Sequence, residues 1–354
     1  MMKFSKLFLV VFSVFLLASC EKDEPEVPVV LGDFQKGTFI LNEGSADQGG
    51  VSFLSEDLTV FKKNIYTDVN VGDLMGKFAQ NIFFSEDKAF IIAGGSNVIN
   101  VVNRFTFKLI AKIETGLKNP RYGVVYNGKA YVTNANTYAA FPVKPGDIGN
   151  TDDYIAVIDV ASNTYESKIE LKNTGNRIVL ENGKLYITEP YNSSKVIVVN
   201  PATKALESPI EIGSDGDAME AKSGILFVMQ GGYPGKISKI KLSDKTITTI
   251  DLPTTLNGSK NLDIYNDKIY YTVNTSIYAM DVTATSPSTT PILTYTSISL
   301  YGSMYGFAVN KNSIFFGDAA DFKSDGKAYV YSLTGTLKKE VTAGVGPNGF
   351  YFNE

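Results

Sequence analysis

The feature that most constrains this chain is a motif that recurs seven times along it. Each copy reads as an apolar strand, a tight turn, a second strand, a variable loop, a third strand, a short polar turn and a fourth strand. Aligned on the second strand, the copies place these residues in register: Phe39, Ala89, Ala130, Leu185, Leu226, Ile269 and Ile314. Neighbouring copies are 41 to 55 residues apart, the extremes being Ala89 to Ala130 and Ala130 to Leu185. Such periods, with four strands in each, are typical of β-propeller blades.

The residues within each copy favour strands over helices. Val, Ile, Tyr and Thr alternate with polar residues at period two, and Asn127-Gly128 and Asn182-Gly183 predict type I′ hairpins. The alternative is an unrelated run of hairpins, as in a β-sandwich. The shared internal order of all seven copies favours the propeller.

The two ends of the repeat indicate how the ring closes. The first copy begins at its second strand, residues 38–42, and residues 346–352 resemble a first strand with nothing after it. A C-terminal strand that completes the first blade would remove two open sheet edges. The sequence therefore predicts an all-β, seven-bladed propeller over residues 36–354, closed by its C-terminal strand.

The N-terminal segment predicts export and lipid anchoring. Lys3 and Lys6 precede an apolar run, residues 7–17, that is too short to span a bilayer. The sequence Leu17-Ala18-Ser19-Cys20 resembles a bacterial lipobox, so we expect a signal peptide over residues 1–19 and lipidation of Cys20. A secretory signal with a coincidental cysteine is the alternative, but Cys20 is the only cysteine in the chain.

Residues 20–35 are predicted to be a flexible tether, because they combine charges with prolines. Glu21-Lys22-Asp23-Glu24 resembles the acidic export signal of surface lipoproteins in Bacteroidota-type bacteria; a plain charged tether is the alternative. We therefore expect an outer-membrane protein that faces the cell exterior.

Composition excludes several functions. The chain has 33 Lys and Arg against 37 Asp and Glu, so it has no basic excess with which to bind nucleic acid. It contains no histidine, which excludes Ser-His-Asp and Cys-His catalysis and imidazole-ligated zinc. We predict no cofactor and no metal. Asp-rich segments around 147–153 and 318–325 could offer oxygen ligands to calcium, but they lack EF-hand spacing, and solvated loop carboxylates explain them better.

Residues 131–134 read Tyr-Val-Thr-Asn, the tetrapeptide that names the YVTN-repeat propellers, also called YncE-like or surface-layer propellers. The chain resembles that family over about residues 36–354. The segments 39–44 and 119–134 further resemble the surface lipoproteins that include the BtuG-type cobalamin-binding proteins. That resemblance implies capture of a small ligand, with cobalamin or a related corrinoid as the named expectation, and hand-over to an outer-membrane transporter.

Two sets of residues are predicted to surround the ligand, because inter-blade loops and the loops between second and third strands emerge on one face. The residues just before the first strands form the first set, here the mouth ring: Gln80, Arg121, Asn176, Ala218, Asn261, Tyr305 and Asn348. Six of these seven can form hydrogen bonds, which suits a neutral ligand rich in amides or hydroxyls. Satisfying strand ends and channel waters is the alternative role.

The ends of the second strands supply the second set, here the strand-end ring: Asn42, Asn134, Glu189, Gln230, Asn274 and Asp318. Aromatic residues in the loops of the same face could stack against a flat ligand, or could instead pin the loops to the body. They are Tyr138, Phe141, Tyr191, Tyr233 and Phe322.

Two other functions stay open at this point. A propeller hydrolase or lyase could use carboxylates without histidine, and Glu43, Glu189 and Asp318 are its candidates. No local motif marks these three, so we do not expect an enzyme. A scaffold that binds only protein partners is the third possibility.

Overall fold

The computed structural model describes residues 31–45, 48–136, 151–190, 193–214, 216–300, 302 and 304–354. Seven antiparallel sheets of four strands each form a β-propeller, which confirms the predicted fold and blade number. All seven alignment residues lie in second strands, so the repeat was read in the correct register.

Blade 1 contains β1, β2, β3 and β28, and each later blade contains four consecutive strands. The strands are β1 (Gly37–Asn42), β2 (Gly50–Ser55), β3 (Phe61–Lys62), β4 (Ala79–Ser85), β5 (Lys88–Ala93), β6 (Val98–Asn103), β7 (Leu109–Ile113), β8 (Pro120–Tyr126), β9 (Lys129–Asn134), β10 (Tyr154–Asp159), β11 (Thr164–Glu170), β12 (Arg177–Glu181), β13 (Lys184–Thr188), β14 (Lys195–Asn200), β15 (Ala205–Glu211), β16 (Met219–Lys222), β17 (Ile225–Gln230), β18 (Lys236–Lys241), β19 (Thr246–Asp251), β20 (Ser259–Tyr265), β21 (Lys268–Val273), β22 (Ser276–Asp281), β23 (Leu293–Thr294), β24 (Phe307–Asn310), β25 (Ser313–Asp318), β26 (Lys327–Ser332), β27 (Leu337–Thr342) and β28 (Pro347–Asn353).

Helical structure is limited to short pieces in the described residues. They are one α-helix, α1 (Ile65–Val69), and two 3-10 turns, Gly94–Ser96 and Thr254–Leu256. None of the helices in this part of the chain is long and apolar enough to cross a bilayer.

The ring closes as predicted, because β28 pairs antiparallel with β1 and completes blade 1. The closing strand is also fixed by side chains. Phe350 and Phe352 pack against Phe315 of blade 7, with ring centroids 5.9 and 5.1 Å apart. The Asn353 amide donates to the carbonyls of Phe34 and Arg104. Closure therefore stabilises both neighbours of the seam and the start of the folded body.

The apolar core is divided among the interfaces between blades. Each of seven clusters joins two adjacent sheets, and the largest joins blades 1 and 2 around the fully buried rings of Phe39, Tyr66 and Phe107. Burying a side chain of this size contributes on the order of 1.5–3 kcal/mol. Apolar contacts between neighbouring blades therefore stabilise the propeller, in place of a single central core.

The folded body extends a few residues into the segment predicted to be a tether. Phe34 is 3% exposed and packs edge-on against Phe53 and Phe107, at 5.2 and 5.8 Å between centroids. It lies beside Asn353, at the end of β28, whereas Glu43 at the far end of β1 bonds to Gly346 at the start of β28. The chain consequently enters the propeller on the face opposite the channel mouth. Residues 1–30, including Cys20 and the predicted signal peptide, lie outside the described residues.

Candidate functional site

The mouth ring is placed by irregularities in the first strands. In β4, β20 and β28 the pairing with the neighbouring strand skips one residue, and the skipped residues are Gln80, Asn261 and Asn348. Strand β8 has a similar shift spanning Arg121 and Tyr122. A β-bulge leaves the extra residue outside the ladder and can re-aim its side chain. Four residues of the ring thus owe their position to bulges, which sequence periodicity does not show.

Glu43 is the centre of a hydrogen-bonded group at the mouth. Its Oε1 accepts from Gln80 Nε2 at 3.0 Å, and its Oε2 accepts from the hydroxyl of Tyr305. Burial raises the pKa of Glu43, and the bonds from Tyr305 and Gln80 and the charge of Arg121 oppose that shift. Burial and the neighbouring Glu43 raise the pKa of the Tyr305 phenol in turn. The group holds a carboxyl and its donors in a fixed arrangement.

The rest of the mouth ring is also held by polar contacts. Arg121 Nε donates to Asn176 Oδ1 at 3.1 Å, and the carbonyl of Asn176 accepts from the Thr133 hydroxyl of the preceding blade at 2.6 Å. Asn261 donates from Nδ2 to the Thr272 hydroxyl, 3.1 Å away. The side chains of Arg121, Asn176 and Asn261 are all partly exposed. They can therefore meet a ligand while staying attached to the body.

Asn348 occupies the same position in the closing strand. Its Nδ2 donates to the carbonyl of Ala79 at 2.7 Å, but its Oδ1 is buried without a hydrogen-bond partner among the described residues. Buried polar atoms are nearly always satisfied. Within the described residues, the Asn348 oxygen therefore lacks the donor that a buried acceptor normally has. Ala218, the apolar member of the ring, is buried.

The strand-end ring is mostly buried within the blades. Exposures are 2% or less for Asn42, Asn134, Gln230 and Asp318, and 9% for Glu189. The carboxylate of Asp318 accepts four hydrogen bonds, from Tyr295, Ser297 and the backbone of residues 298 and 320. Because these side chains are buried within the propeller, a ligand could reach them only if the surrounding loops moved. Asn274, in a tight turn, is exposed.

The loop aromatics fall into three groups. Tyr233 is 81% exposed, in the glycine-rich loop between β17 and β18, and is available for stacking. Phe322 packs edge-on against Tyr305, 4.9 Å between centroids, and so supports the Glu43 group. Tyr138, Phe141 and Tyr191 lie outside the described residues.

The three carboxylates predicted for an enzyme do not share one environment. Asp318 is fully buried and Glu189 accepts from Thr174 at 3.4 Å, whereas Glu43 lies at the mouth. The candidate calcium ligands are also engaged: Asp321 accepts from two backbone N–H groups and Asp325 pairs with Lys63. Among the described residues, no three acidic or cysteine side chains are grouped as a metal site.

Sequence reasoning missed a set of charged residues inside the channel. A cavity of about 250 Å³, here the chamber, lies below the mouth ring and is lined in part by Arg177 of β12, Glu220 of β16 and Asp263 of β20. Arg177 stacks on the ring of Tyr122 at 4.3 Å, and its Nε donates to Asp217 Oδ1 at 3.3 Å. The chamber therefore presents both signs of charge.

The two chamber carboxyls are strongly perturbed. Burial, with a smaller contribution from the charge of Asp263, raises the pKa of Glu220 to about 8, and the charge of Arg177 opposes that shift. Burial also raises the pKa of Asp263 to about 6, opposed by hydrogen bonds from the backbone of Val309 and Ile264. Two neighbouring carboxyls in a partly desolvated site resist joint ionisation, which favours a shared proton on the pair.

A signal for these residues exists in the sequence. Each sits in the first strand of its blade, where charge is unexpected on the strand nearest the axis. Comparing first strands alone would have placed these three in a short set of charged residues, together with Arg121, Glu181, Lys222 and Lys260. The convergence of Arg177, Glu220 and Asp263 requires the closed ring, because they come from three different blades.

Fold and site together define a seven-bladed propeller with a polar channel mouth and a charged chamber beneath it. The chain belongs to the DUF5074 family, described as a domain of unknown function, whose model matches residues 36–352. No curated protein matches the chain.

Several solved structures share the fold. A quinonprotein alcohol dehydrogenase-like protein from Bacteroides thetaiotaomicron is 19% identical, with a TM-score of 0.65 over 91% of this chain and 79% of that one. A functionally unknown protein from Desulfotomaculum acetoxidans is 12% identical (TM-score 0.66; 90% and 98% covered). BamB from Moraxella catarrhalis is 13% identical (TM-score 0.52; 90% and 86%). At these identities the likeness extends to the fold alone, and the narrower resemblance to YncE-like and BtuG-type proteins stays a prediction.

Proposed function

We propose that this protein is a surface lipoprotein that captures a small neutral ligand at the channel mouth, without covalent chemistry, and passes it to a transporter. Cobalamin or a related corrinoid is the ligand we would test first, because the sequence resembles the BtuG-type proteins. The observation that carries the proposal is the preorganised ring of amide, phenol and guanidinium groups around Glu43.

The chemistry of that ring supports a neutral ligand. Its amides both donate and accept, and the negative charge of Glu43 is offset by Gln80, Tyr305 and Arg121. The carboxyl of Glu43 would repel an anionic ligand, and the guanidinium of Arg121 would repel a cationic one. Neutral ligands rich in amides or hydroxyls are repelled by neither group. The exposed ring of Tyr233 adds a surface on which such a ligand could stack.

The path of the chain supports an outward-facing mouth. Residues 31–34 join the body beside Asn353, on the face opposite Glu43 and Gly346. If Cys20 carries the lipid, the tether would reach the membrane from that opposite face. The mouth would then point away from the bilayer and be accessible to ligand.

Binding fits the site better than catalysis. The chamber carboxyls Glu220 and Asp263 have the unequal, raised pKa values of an acid-base pair. Their cavity of about 250 Å³ is nevertheless below the roughly 300–1,000 Å³ of most ligand pockets. It leaves little space for the two sugar rings that flank a glycosidic bond. We therefore propose capture as the activity.

Calorimetric titration of the purified protein against cyanocobalamin, haem and neutral oligosaccharides tests the proposal. We expect one of the neutral ligands to bind and Arg121→Ala or Tyr305→Phe to weaken it about tenfold or more, since each removes a hydrogen bond at the site. Two matched controls should leave affinity unchanged. Lys108→Ala removes an exposed cation, and Tyr265→Phe removes a phenol that bonds Asn312 on the opposite face.

Two results would contradict the proposal. One is the absence of binding to every ligand of the panel. The other is binding that Arg121→Ala and Tyr305→Phe leave intact, which would place the site elsewhere.

A further inference from the structure

The chamber below the mouth carries an arginine with unused donors. The Nε atom of Arg177 donates to Asp217, and the guanidinium group stacks on the ring of Tyr122. Its side chain is still 33% exposed, and its terminal nitrogens have no hydrogen-bond partner among the described residues. A guanidinium that is fixed by stacking and lines the cavity is suited to bidentate recognition of a carboxylate.

The same chamber carries acceptors without donors. The carboxyl of half-buried Glu220 has no hydrogen-bond partner in the described part of the chain, and the Oδ1 atom of Asn348 is buried and unpaired. Asp263 Oδ2 accepts from the backbone N–H of Val309 at 2.6 Å, and the backbone of Ile264 also donates to this carboxyl, which keeps acceptor capacity for a further donor. An ammonium group in the chamber would meet these acceptors among the lining residues.

We propose that the chamber binds a small zwitterion of the α-amino-acid type, with its carboxylate on Arg177 and its ammonium on Glu220 and Asp263. The two signs of charge select this class. A simple anion would face two carboxyls, and a simple cation would face the guanidinium. A cavity of about 250 Å³ accepts a molecule of amino-acid size. This proposal is distinct from the corrinoid proposal, although four mouth-ring residues, Gln80, Ala218, Asn261 and Asn348, also line the chamber.

Binding of this kind moves a proton. Glu220 faces Asp263, Arg177 and, through Arg177, Asp217, with Tyr122 and Tyr351 lining the same space. Desolvation beside Asp263 raises the pKa of Glu220 and so favours its protonated form. An ammonium placed beside it favours the carboxylate, so the ligand should expel a proton from the protein as it binds.

Calorimetry of the purified protein at pH 7 tests this site. The probes are the twenty L-amino acids, with propionate and propylamine as analogues that carry only one of the two charges. We expect at least one amino acid to bind, neither analogue to match it, and the heat to depend on the buffer's ionisation enthalpy because a proton is released.

Variants assign that signal to the chamber. Glu220→Gln keeps the shape and removes the titrating group, so the protein should fold, lose affinity by about tenfold or more and lose the buffer dependence. Arg177→Lys should weaken binding while keeping the charge. The control Glu114→Gln alters an exposed carboxyl and should behave as wild type.

The inference is wrong if no amino acid binds, if propylamine or calcium chloride binds as well as any amino acid, or if Glu220→Gln binds with unchanged affinity and proton release. Arg121→Ala should leave amino-acid binding intact while weakening the mouth ligand. The experiments therefore distinguish a wrong proposal for amino-acid binding in the chamber from a wrong proposal for ligand binding at the mouth.

Discussion

The mouth ring and the strand-end ring contain the same kinds of residue on the same face, yet the body uses them differently. Asn42, Gln230 and Asp318 end regular second strands and are buried with their polar atoms bonded to the protein. Asn261 and Asn348 stand at bulges in first strands, beside the channel, and keep exposed surface or an unpaired atom. Backbone regularity, and not residue type, separates a structural amide from one that a ligand can reach.

The largest difference should appear when Asp318 is replaced. Asp318→Ala leaves four donors without their acceptor, one of them the buried hydroxyl of Tyr295, so we expect the free energy of unfolding to fall by about 3 kcal/mol. Urea denaturation measures the change. Asp321→Ala, which alters an exposed turn of the same loop, is the control and should have far less effect. Equal stability of the two variants would refute a structural role for the strand-end ring.

A pair of asparagines makes the comparison direct. Asn42 donates to Ser52 Oγ at 3.0 Å and accepts from the N–H of Gly344 at 2.9 Å. Asn42→Ala should lower the free energy of unfolding by about 2 kcal/mol, because a buried N–H loses its partner. Asn176→Ala, at the partly exposed mouth, should change it by less than about 0.5 kcal/mol. The reverse order in urea denaturation would overturn the distinction between the rings.

The chamber offers a pH test. Because the folded-state pKa of Glu220 is raised to about 8 from an ordinary value of 4.5, the free energy of unfolding should fall as pH rises between those values. Glu220→Gln removes the group and should increase stability by about 1–2 kcal/mol at pH 8, with little change at pH 4. Thermal unfolding across this range measures it. A variant that is less stable than wild type at pH 8 would contradict the assignment.

The smallest effect is expected at Tyr305. Tyr305→Phe removes a hydrogen bond that holds the pKa of Glu43 down, so that pKa should rise further. The free energy of unfolding should change by less than about 1 kcal/mol at neutral pH. Titration of the Glu43 carboxyl by NMR measures the shift, with Tyr265→Phe as a control on the opposite face. A fall in that pKa would show that the phenol does not act as the donor.

The fold was readable from the sequence because its signals are local and repeated. Period-two apolar residues define each strand, Asn-Gly turns join the first two strands in blades 3 and 4, and the missing first strand of blade 1 matches the spare strand at the end. The mouth ring was found through the same repeat, although the bulges that position it were not visible.

The rest of the site could not be read, because it depends on three-dimensional convergence. Glu43 was predicted only as a candidate catalytic carboxylate, and only the closed ring brings Tyr305 to it from 262 positions away. Arg177, Glu220 and Asp263 resembled ordinary polar positions in half-buried strands. Burial of the strand-end ring was also missed, since the sequence does not distinguish an amide that bonds its own loop from one facing solvent.

The pairing of β1 with β28 has a consequence for biosynthesis. Gly37 pairs with Asn353, so the sheet of blade 1 lacks its innermost strand until β28 has been synthesised. Contacts this distant along the chain form late, because a long loop must close first. A nascent or C-terminally clipped polypeptide would therefore hold six finished blades and one bare edge. Quality control could recognise incomplete molecules by that edge.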